Sequence, residues 1–115
     1  MFEPQKIIFK FIKKKYIKNK NIKIYNQAIS DKKNRQILYI NKHDLTSSLS
    51  KIDKKNRYLN FKALLFGGSI NDMVKKKSKV NSSKLSAIIK KSKIRKIDLL
   101  KIDTEGHELQ VLKGT

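Results

Sequence analysis

The stretch KIDLLKIDTEGHELQVLKG, residues 96–114, decides the predicted fold of this chain. Its first half, IDLLKI over 97–102, has the adjacent apolar residues typical of a strand that is covered on both faces. Its second half predicts a helix over 105–113, with Leu109 and Leu112 facing inward. A strand that leads directly into a helix indicates an α/β sheet, and we expect 97–102 to be its central strand.

The rest of the chain predicts further elements around this unit. Periodicity and capping residues indicate a helix over residues 5–18, strands over 21–29 and 36–41, and a helix capped by Ser82 or Ser83 that runs to about Ser92. Other segments are predicted as a polar loop over 46–50, a solvated loop at Lys75–Lys77, and either a strand or a short helix from Tyr58 to Phe66. Gly114 is expected to end the last helix. Strands that alternate with helices indicate an α/β fold with an at least partly parallel sheet.

Acidic residues are rare in the chain and concentrated in this one stretch. The sequence has 9 acidic residues against 29 basic ones, and Asp98, Asp103, Glu105 and Glu108 all fall within 96–114. Asp103 follows the predicted strand, where ligands bind in open parallel sheets, and Glu105 begins the predicted helix. The D-x-E-G pattern therefore predicts two carboxylates at the rim of a crevice. The alternative is that both acids only cap and charge-balance a helix.

Two further residues of the stretch have side chains of interest. His107 could act as a general base, but we interpret it as a surface imidazole in the first helical turn. Lys101 interrupts the apolar strand, so its ammonium is expected to reach a carboxylate or water.

The net charge of +20 allows two interpretations. Lysines and aromatic residues could bind nucleic acid, or residues 5–20 could form a basic interfacial helix on an anionic membrane. The competing interpretation is compositional drift, because the chain has many Lys, Ile and Asn residues and only three Arg. Readers of bases and phosphates favour arginine forks, so we prefer drift.

The composition also excludes some classes of protein. The chain has no cysteine, hence no disulfide and no thiolate metal ligand, and no metal site is predicted. It has neither a secretory signal pattern nor an apolar run of about 20 residues, so we predict a cytoplasmic location.

Several motifs resemble one protein family, the FkbM family of S-adenosylmethionine-dependent methyltransferases. The stretch IDLLKIDTEGHELQVLKG, from Ile97, resembles the family signature of a strand, an acidic D-x-E-G turn and a helix. FEP at 2–4 resembles the end of the family's second strand, and IYNQAISDKKN at 24–34 resembles its third strand and the following turn. TSSL at 46–49 resembles a serine-containing loop of the family. The matches occur in the family's order.

The resemblance implies a fragment of a Rossmann-like methyltransferase fold, with a mainly parallel sheet flanked by helices. Residues 1–115 would form a partial domain that lacks the first strand with its glycine-rich loop and the last strands. The sequence contains no G-x-G. We therefore expect poor autonomous folding and poor turnover by this chain alone.

The resemblance also implies a function, a cofactor and a site. S-Adenosyl-L-methionine would be the cofactor, with Glu3 at the ribose hydroxyls and Gln27 and Ala28 along the adenine edge. Asp103 and Glu105 would face the methionine end and the methyl acceptor, and either could be the general base. The reaction would be O-methyl transfer to a hydroxyl of a small molecule or glycan. The alternative is a non-catalytic lysine-rich module that binds nucleic acid.

Overall fold

The computed structural model describes residues 1–41, 47–51, 53–65, 68–69 and 74–115. Helices and strands follow one another in the order α1 (Lys6–Lys15), β1 (Ala28–Ile29), β2 (Asn34–Asn41), β3 (Ser47–Ser48), α2 (Arg57–Leu65), β4 (Val74–Ser83), α3 (Leu85–Lys91) and α4 (Glu108–Lys113). Of the helices in these ranges, none is both long and apolar enough to cross a lipid bilayer.

The four strands form one mixed sheet in the order β1-β4-β2-β3. β1 is parallel to β4, with Ala28 opposite Ser82, whereas β2 is antiparallel to both β4 and β3. The expectation of a mainly parallel sheet is therefore wrong. The chain reverses direction between Ile29 and Asn34, and this reversal places the long β2 antiparallel to β4 over most of its length.

The predicted central strand at 97–102 is also wrong. Within the described residues this segment joins no sheet ladder, and Leu99 is 88% exposed. A strand requires hydrogen-bonding neighbours as well as a suitable sequence. In the observed order β1 is an edge strand of only two residues, and 97–102 forms no ladder with its open edge.

Most elements with a clear local pattern form as predicted. The helix predicted over 5–18 is present as α1, and the strand predicted over 36–41 is present as β2. Of the strand predicted over 21–29, only Ala28–Ile29 joins the sheet, while Tyr25 makes an isolated parallel bridge with Phe2.

Other segments differ from the prediction or resolve an open choice. Arg57–Leu65 is helical, and Phe66, the end of that predicted segment, lies outside the described residues. Ser47–Ser48 pairs with β2 instead of forming only a loop. Thr46, the first residue of that predicted loop, lies outside the described residues. Lys75–Lys77 is exposed, as expected, but belongs to β4 and not to a loop.

The third helix begins later than predicted. Ser82 and Ser83 end β4, and α3 starts at Leu85 after Lys84, with no side-chain cap. The strand ladder to Ala28 and Ile29 uses both serines. They are therefore unable to serve as the predicted helix caps.

Among the described residues, two small core clusters each contain one residue of β1. Ala28, Leu38 and Val80 form one cluster, with Ile40 and Leu49 against it. The second cluster joins β1 to α3 and α4 through Ile29, Leu85 and Val111, with Phe2, Ile88, Ile89 and Ile102 against it.

Val111 is the buried residue of α4, whereas Leu109 and Leu112 are 59% and 52% exposed. The predicted inward face of this helix is thus wrong. The helix begins at Glu108 and not at Glu105, and the contact of Val111 with the cluster of Ile29 and Leu85 fixes its orientation.

Candidate functional site

A cleft of about 520 Å³ lies between the N-terminal residues, the end of β1 and the segment that precedes α4. Its walls include residues 1–4, 27–29 and 99–104, with further side chains from β2, β3, α3 and α4. This volume is within the roughly 300–1,000 Å³ typical of small-molecule sites. The cleft is therefore large enough for a nucleoside-sized ligand.

Glu3 contributes a carboxylate to one wall of the cleft. Phe2 pairs with Tyr25 in a parallel bridge, their rings stack at 5.2 Å, and the Glu3 N–H donates to the Tyr25 carbonyl at 3.0 Å. The Glu3 carboxylate accepts a hydrogen bond from the Gln5 N–H at 2.7 Å. Glu3 thus stands at the end of a strand-like pairing, just before α1.

The environment of Glu3 disfavours its charge. Burial raises the pKa of this half-buried carboxyl, and the hydrogen bond from Gln5 opposes that shift. A carboxylate that is held partly desolvated accepts hydrogen bonds from a ligand without competition from bulk water. Its position suits ligand hydroxyls.

Gln27, which precedes β1, and Ala28, the first residue of β1, line the same cleft. Ala28 is buried, and its small side chain belongs to the cluster with Leu38 and Val80. Both residues therefore line the cleft that also contains Glu3.

Asp103 lines the cleft from its rim. Its Oδ2 accepts a hydrogen bond from Lys101 Nζ at 3.0 Å, with both side chains largely exposed. The expectation that Lys101 reaches a carboxylate is confirmed. Because an exposed ion pair is weak, a ligand cation could displace the ammonium from Asp103.

Glu105 is absent from the residues that line the cleft. It lies in a turn before α4 with φ of 52°, and Gly106 follows with φ of 94°. The left-handed region is costly for a residue with a side chain, by roughly 1–2 kcal/mol. The acidic loop, residues 103–107, therefore holds Glu105 in a strained conformation and does not use it to begin the helix.

Glu108 provides the acidic cap that the sequence suggested for Glu105. One of its carboxylate oxygens accepts hydrogen bonds from the Thr104 N–H and hydroxyl, both at 3.0 Å, and from the Gly106 N–H at 3.1 Å. Hydrogen bonds from its own backbone N–H and from those of Gly106 and Thr104 lower the pKa of Glu108 to about 2. The sequence signal for this capping role was the presence of an acidic residue in the first turn of the helix.

We expect Glu108→Ala to lower the free energy of unfolding by about 1 kcal/mol at neutral pH, after allowance for solvent screening of this exposed group. The folded-state pKa is below the ordinary value of 4.5, so the contribution is complete above that value and is lost as pH falls through about 2. Urea denaturation at neutral and acidic pH measures both effects. Asp98→Ala, which removes an exposed acid from the same stretch, should change stability by less than about 0.5 kcal/mol. Equal effects of the two substitutions would contradict the capping role.

His107 is buried, so its interpretation as a surface imidazole is wrong. The side chain is 7% exposed, Nε2 lies 3.0 Å from Ser30 Oγ and Nδ1 lies 3.1 Å from Ser50 Oγ. Ser30 and Ser50 were not singled out in the sequence. The sequence signal for Ser30 was its place directly after the apolar pair that forms β1, in the 24–34 segment that resembles the family's third strand and the following turn.

The structure thus brings four of the five predicted site residues to one cleft. Glu3, Gln27, Ala28 and Asp103 line it, and Glu105 does not. Carboxylates at two points of one cleft, with an apolar wall between them, suit a ligand that carries hydroxyls and a positive charge.

Comparison with known proteins agrees with the motifs. Residues 1–115 match the Methyltransferase FkbM domain. A search of curated proteins and a search of solved structures each returned no match. The match extends over the whole sequence and includes every segment of the cleft. The chain belongs to the FkbM methyltransferase family.

Proposed function

We propose that this domain transfers the methyl group of S-adenosyl-L-methionine to a hydroxyl of a small molecule or glycan. The observation that carries the proposal is that Glu3 and Asp103, acids from distant parts of a strongly basic chain, line the same cleft. The family of the chain supplies the reaction class, and the cleft supplies the residues that would hold the cofactor.

The residues of the cleft fit this cofactor. The Glu3 carboxylate can accept hydrogen bonds from the two ribose hydroxyls. Gln27 can offer its side-chain amide to the purine, and the small side chain of Ala28 leaves room beside it. Asp103 can pair with the positive charge of the methionine end once Lys101 is displaced. When bound, S-adenosyl-L-methionine supplies a methyl group on a sulfonium centre.

The chain's own contribution to the reaction would be positioning and proton removal. The cleft aligns the two reactants, an effect that accounts for much of the acceleration in displacement reactions. A carboxylate of the acidic loop, Asp103 or Glu105, takes the proton of the acceptor hydroxyl. The strained backbone of Glu105 supports a role in function, because such conformations cluster at functional sites.

Binding of S-adenosyl-L-methionine to the full chain, measured by calorimetry, tests the proposal. We expect Glu3→Gln and Asp103→Asn each to weaken binding by about tenfold, the effect of one lost charge-assisted hydrogen bond. Glu105→Gln should reduce turnover with hydroxyl acceptors more than affinity. Asp98→Asn is the matched control, because Asp98 pairs with Lys96 at the surface and does not line the cleft.

Glu3→Gln also separates a functional loss from a loss of stability. Because burial raises the folded-state pKa of Glu3, its ionised form does not stabilise the fold at neutral pH; the favourable contribution of the protonated form is complete below the ordinary value of 4.5 and is lost as pH rises through the raised folded-state pKa. The variant should therefore keep or slightly gain thermal stability at neutral pH while it loses affinity for the cofactor.

Equal cofactor affinity in all variants would leave only the helix-capping interpretation of the acids. Binding of an RNA or DNA oligonucleotide without binding of the cofactor would favour the nucleic-acid module.

A further inference from the structure

His107 is a buried titratable residue to which the proposed reaction gives no role. Its ring bridges two serines, and the side chain also lines the cleft. Ser30, the first residue after β1, is fully buried, and Ser50 lies two residues after β3. The histidine is far from both serines in sequence, with a separation of 77 positions from Ser30 and 57 positions from Ser50.

The hydrogen bonds assign the protons of this bridge. The Ser30 hydroxyl donates to Asp31 Oδ1 at 3.0 Å, so its oxygen accepts from the Nε2–H of His107. In the neutral ring Nδ1 is then an acceptor, and its partner is the Ser50 hydroxyl. The Ser50 hydroxyl has one hydrogen, so the Gly106 carbonyl oxygen, 2.9 Å from Ser50 Oγ, is an alternative acceptor that competes with Nδ1 for it. The ring therefore links the residue after β1 and the segment after β3 to the acidic loop that contains His107.

The bridge lies close to the residues proposed to hold the cofactor. Asp103 and Glu105 are in the same acidic loop as His107, and Gln27 and Ala28 precede Ser30 by a few residues. A displacement of the ring would therefore shift Asp103 relative to the end of β1. Misplacement by as little as about 1 Å can cost on the order of a hundredfold in rate.

We propose that His107 is a positioning residue whose two ring nitrogens fix the acidic loop against the end of β1 and the segment after β3, and thereby set the geometry of the cofactor cleft. The part that concerns the cofactor rests on the proposed function. The part that concerns the loop depends only on the hydrogen bonds of His107 with Ser30 and Ser50.

The bridge also makes the loop sensitive to pH. Burial lowers the pKa of His107, and the carboxylates of Asp31, after β1, and Glu108, in α4, oppose that shift, while the segment after β3 contributes the neutral Ser50 hydroxyl. Because the pKa of His107 in the folded structure is below the ordinary value of 6.5, the contribution of the bridge to loop stability is complete above that value and is lost as pH falls through the lowered pKa.

Amide hydrogen exchange of the Thr104 and Gly106 N–H groups in the ligand-free chain tests the positioning role. His107→Gln keeps a donor for Ser30, and His107→Asn keeps an amide near Ser50, but neither side chain spans both serines. We expect each variant to exchange these amides about tenfold faster, as for one lost hydrogen bond.

Val80→Ala is the control for a purely structural effect, since Val80 is buried in the sheet and does not line the cleft. It should lower global stability without faster exchange at Thr104 and Gly106. Equal acceleration in this control, or exchange at the parent rate in both His107 variants, would overturn the proposal.

Two further readouts separate the proposal from the proposed function. After correction for intrinsic rates, protection in the parent should decrease between about pH 7.5 and about pH 5.5, on either side of the ordinary histidine pKa, and this dependence should be absent in His107→Gln. The same dependence in the variant would refute a role for the ring. S-Adenosyl-L-methionine should bind His107→Gln about tenfold more weakly than the parent. If the parent binds no cofactor, the proposed function is refuted, and the exchange result still decides the role of His107. If parent and variant bind the cofactor with equal affinity, the positioning role is overturned.

Discussion

Gly114→Ala is expected to lower the free energy of unfolding by about 1–3 kcal/mol, the usual cost of overpacking a closed site, and to lie at the upper end of that range. A β-carbon at this position would be 2.2 Å from the Ser30 carbonyl oxygen and 3.0 Å from its carbonyl carbon. Both are backbone atoms, and Ser30 is fixed by its N–H bond to the Ser83 carbonyl at 3.0 Å. The end of α4 would have to move away from β1.

The same movement would affect α3 and the cleft. The Gly114 carbonyl accepts hydrogen bonds from the Ser86 N–H at 3.0 Å and from its hydroxyl at 2.9 Å, so a displaced Gly114 weakens the contact between α3 and α4. Ser30 also holds His107, which links the site to this contact. Glycine is required here for close approach and not for an unusual backbone angle, because its φ is −97°.

Urea denaturation of the parent and Gly114→Ala chains measures this effect. Lys113→Ala, at the exposed preceding position of the same helix, is the matched control and should change stability by less than about 0.5 kcal/mol. A Gly114→Ala chain as stable as the parent would show that α4 does not pack against Ser30 in solution.

Leu38→Ala is expected to destabilise the chain most, by about 2–5 kcal/mol. Leu38 is 2% exposed and packs with Ala28 and Val80 in the centre of the first core cluster. Strands hold these neighbours in place, so they can close only part of the space that the missing methyl groups leave. The cost therefore includes a cavity as well as the lost transfer of the side chain from water.

Leu38 also lines the cleft, so the truncation should widen the site and weaken ligand binding. Ile37→Ala is the matched control, because Ile37 is the preceding residue of β2, points to the other face and is 45% exposed. It should cost less than about 1 kcal/mol. Denaturation midpoints that fall equally for the two variants would contradict the assignment of the core to the Leu38 face.

Features with a local physical cause could be predicted from the sequence. The period of apolar residues in α1 and the β-rich composition of β2 identify both elements, because helix and strand geometry repeat over a few residues. The motif at 96–114 also indicated the family and the acids of the site. Glu3, Gln27, Ala28 and Asp103 could be placed at one cleft through that resemblance.

The role of each acid within the last segment could not be predicted from its spacing. Glu105 was expected to begin the helix, but the helix begins at Glu108, whose carboxylate caps the preceding loop. The two acids are only three positions apart, and helix ends are the least certain boundaries in a sequence. A left-handed backbone at Glu105 and Gly106 separates their roles.

By itself, the sequence determined the family, the α/β class and the concentration of acids near one segment, because these depend on residue types and on short-range order. Only the tertiary structure decided that the sheet is mixed, that 97–102 lies outside its ladder and that His107 is buried. Strand pairing and burial depend on contacts between residues that are distant along the chain. The bond between Ser30 and His107 spans 77 residues, and no local pattern in either segment specifies it.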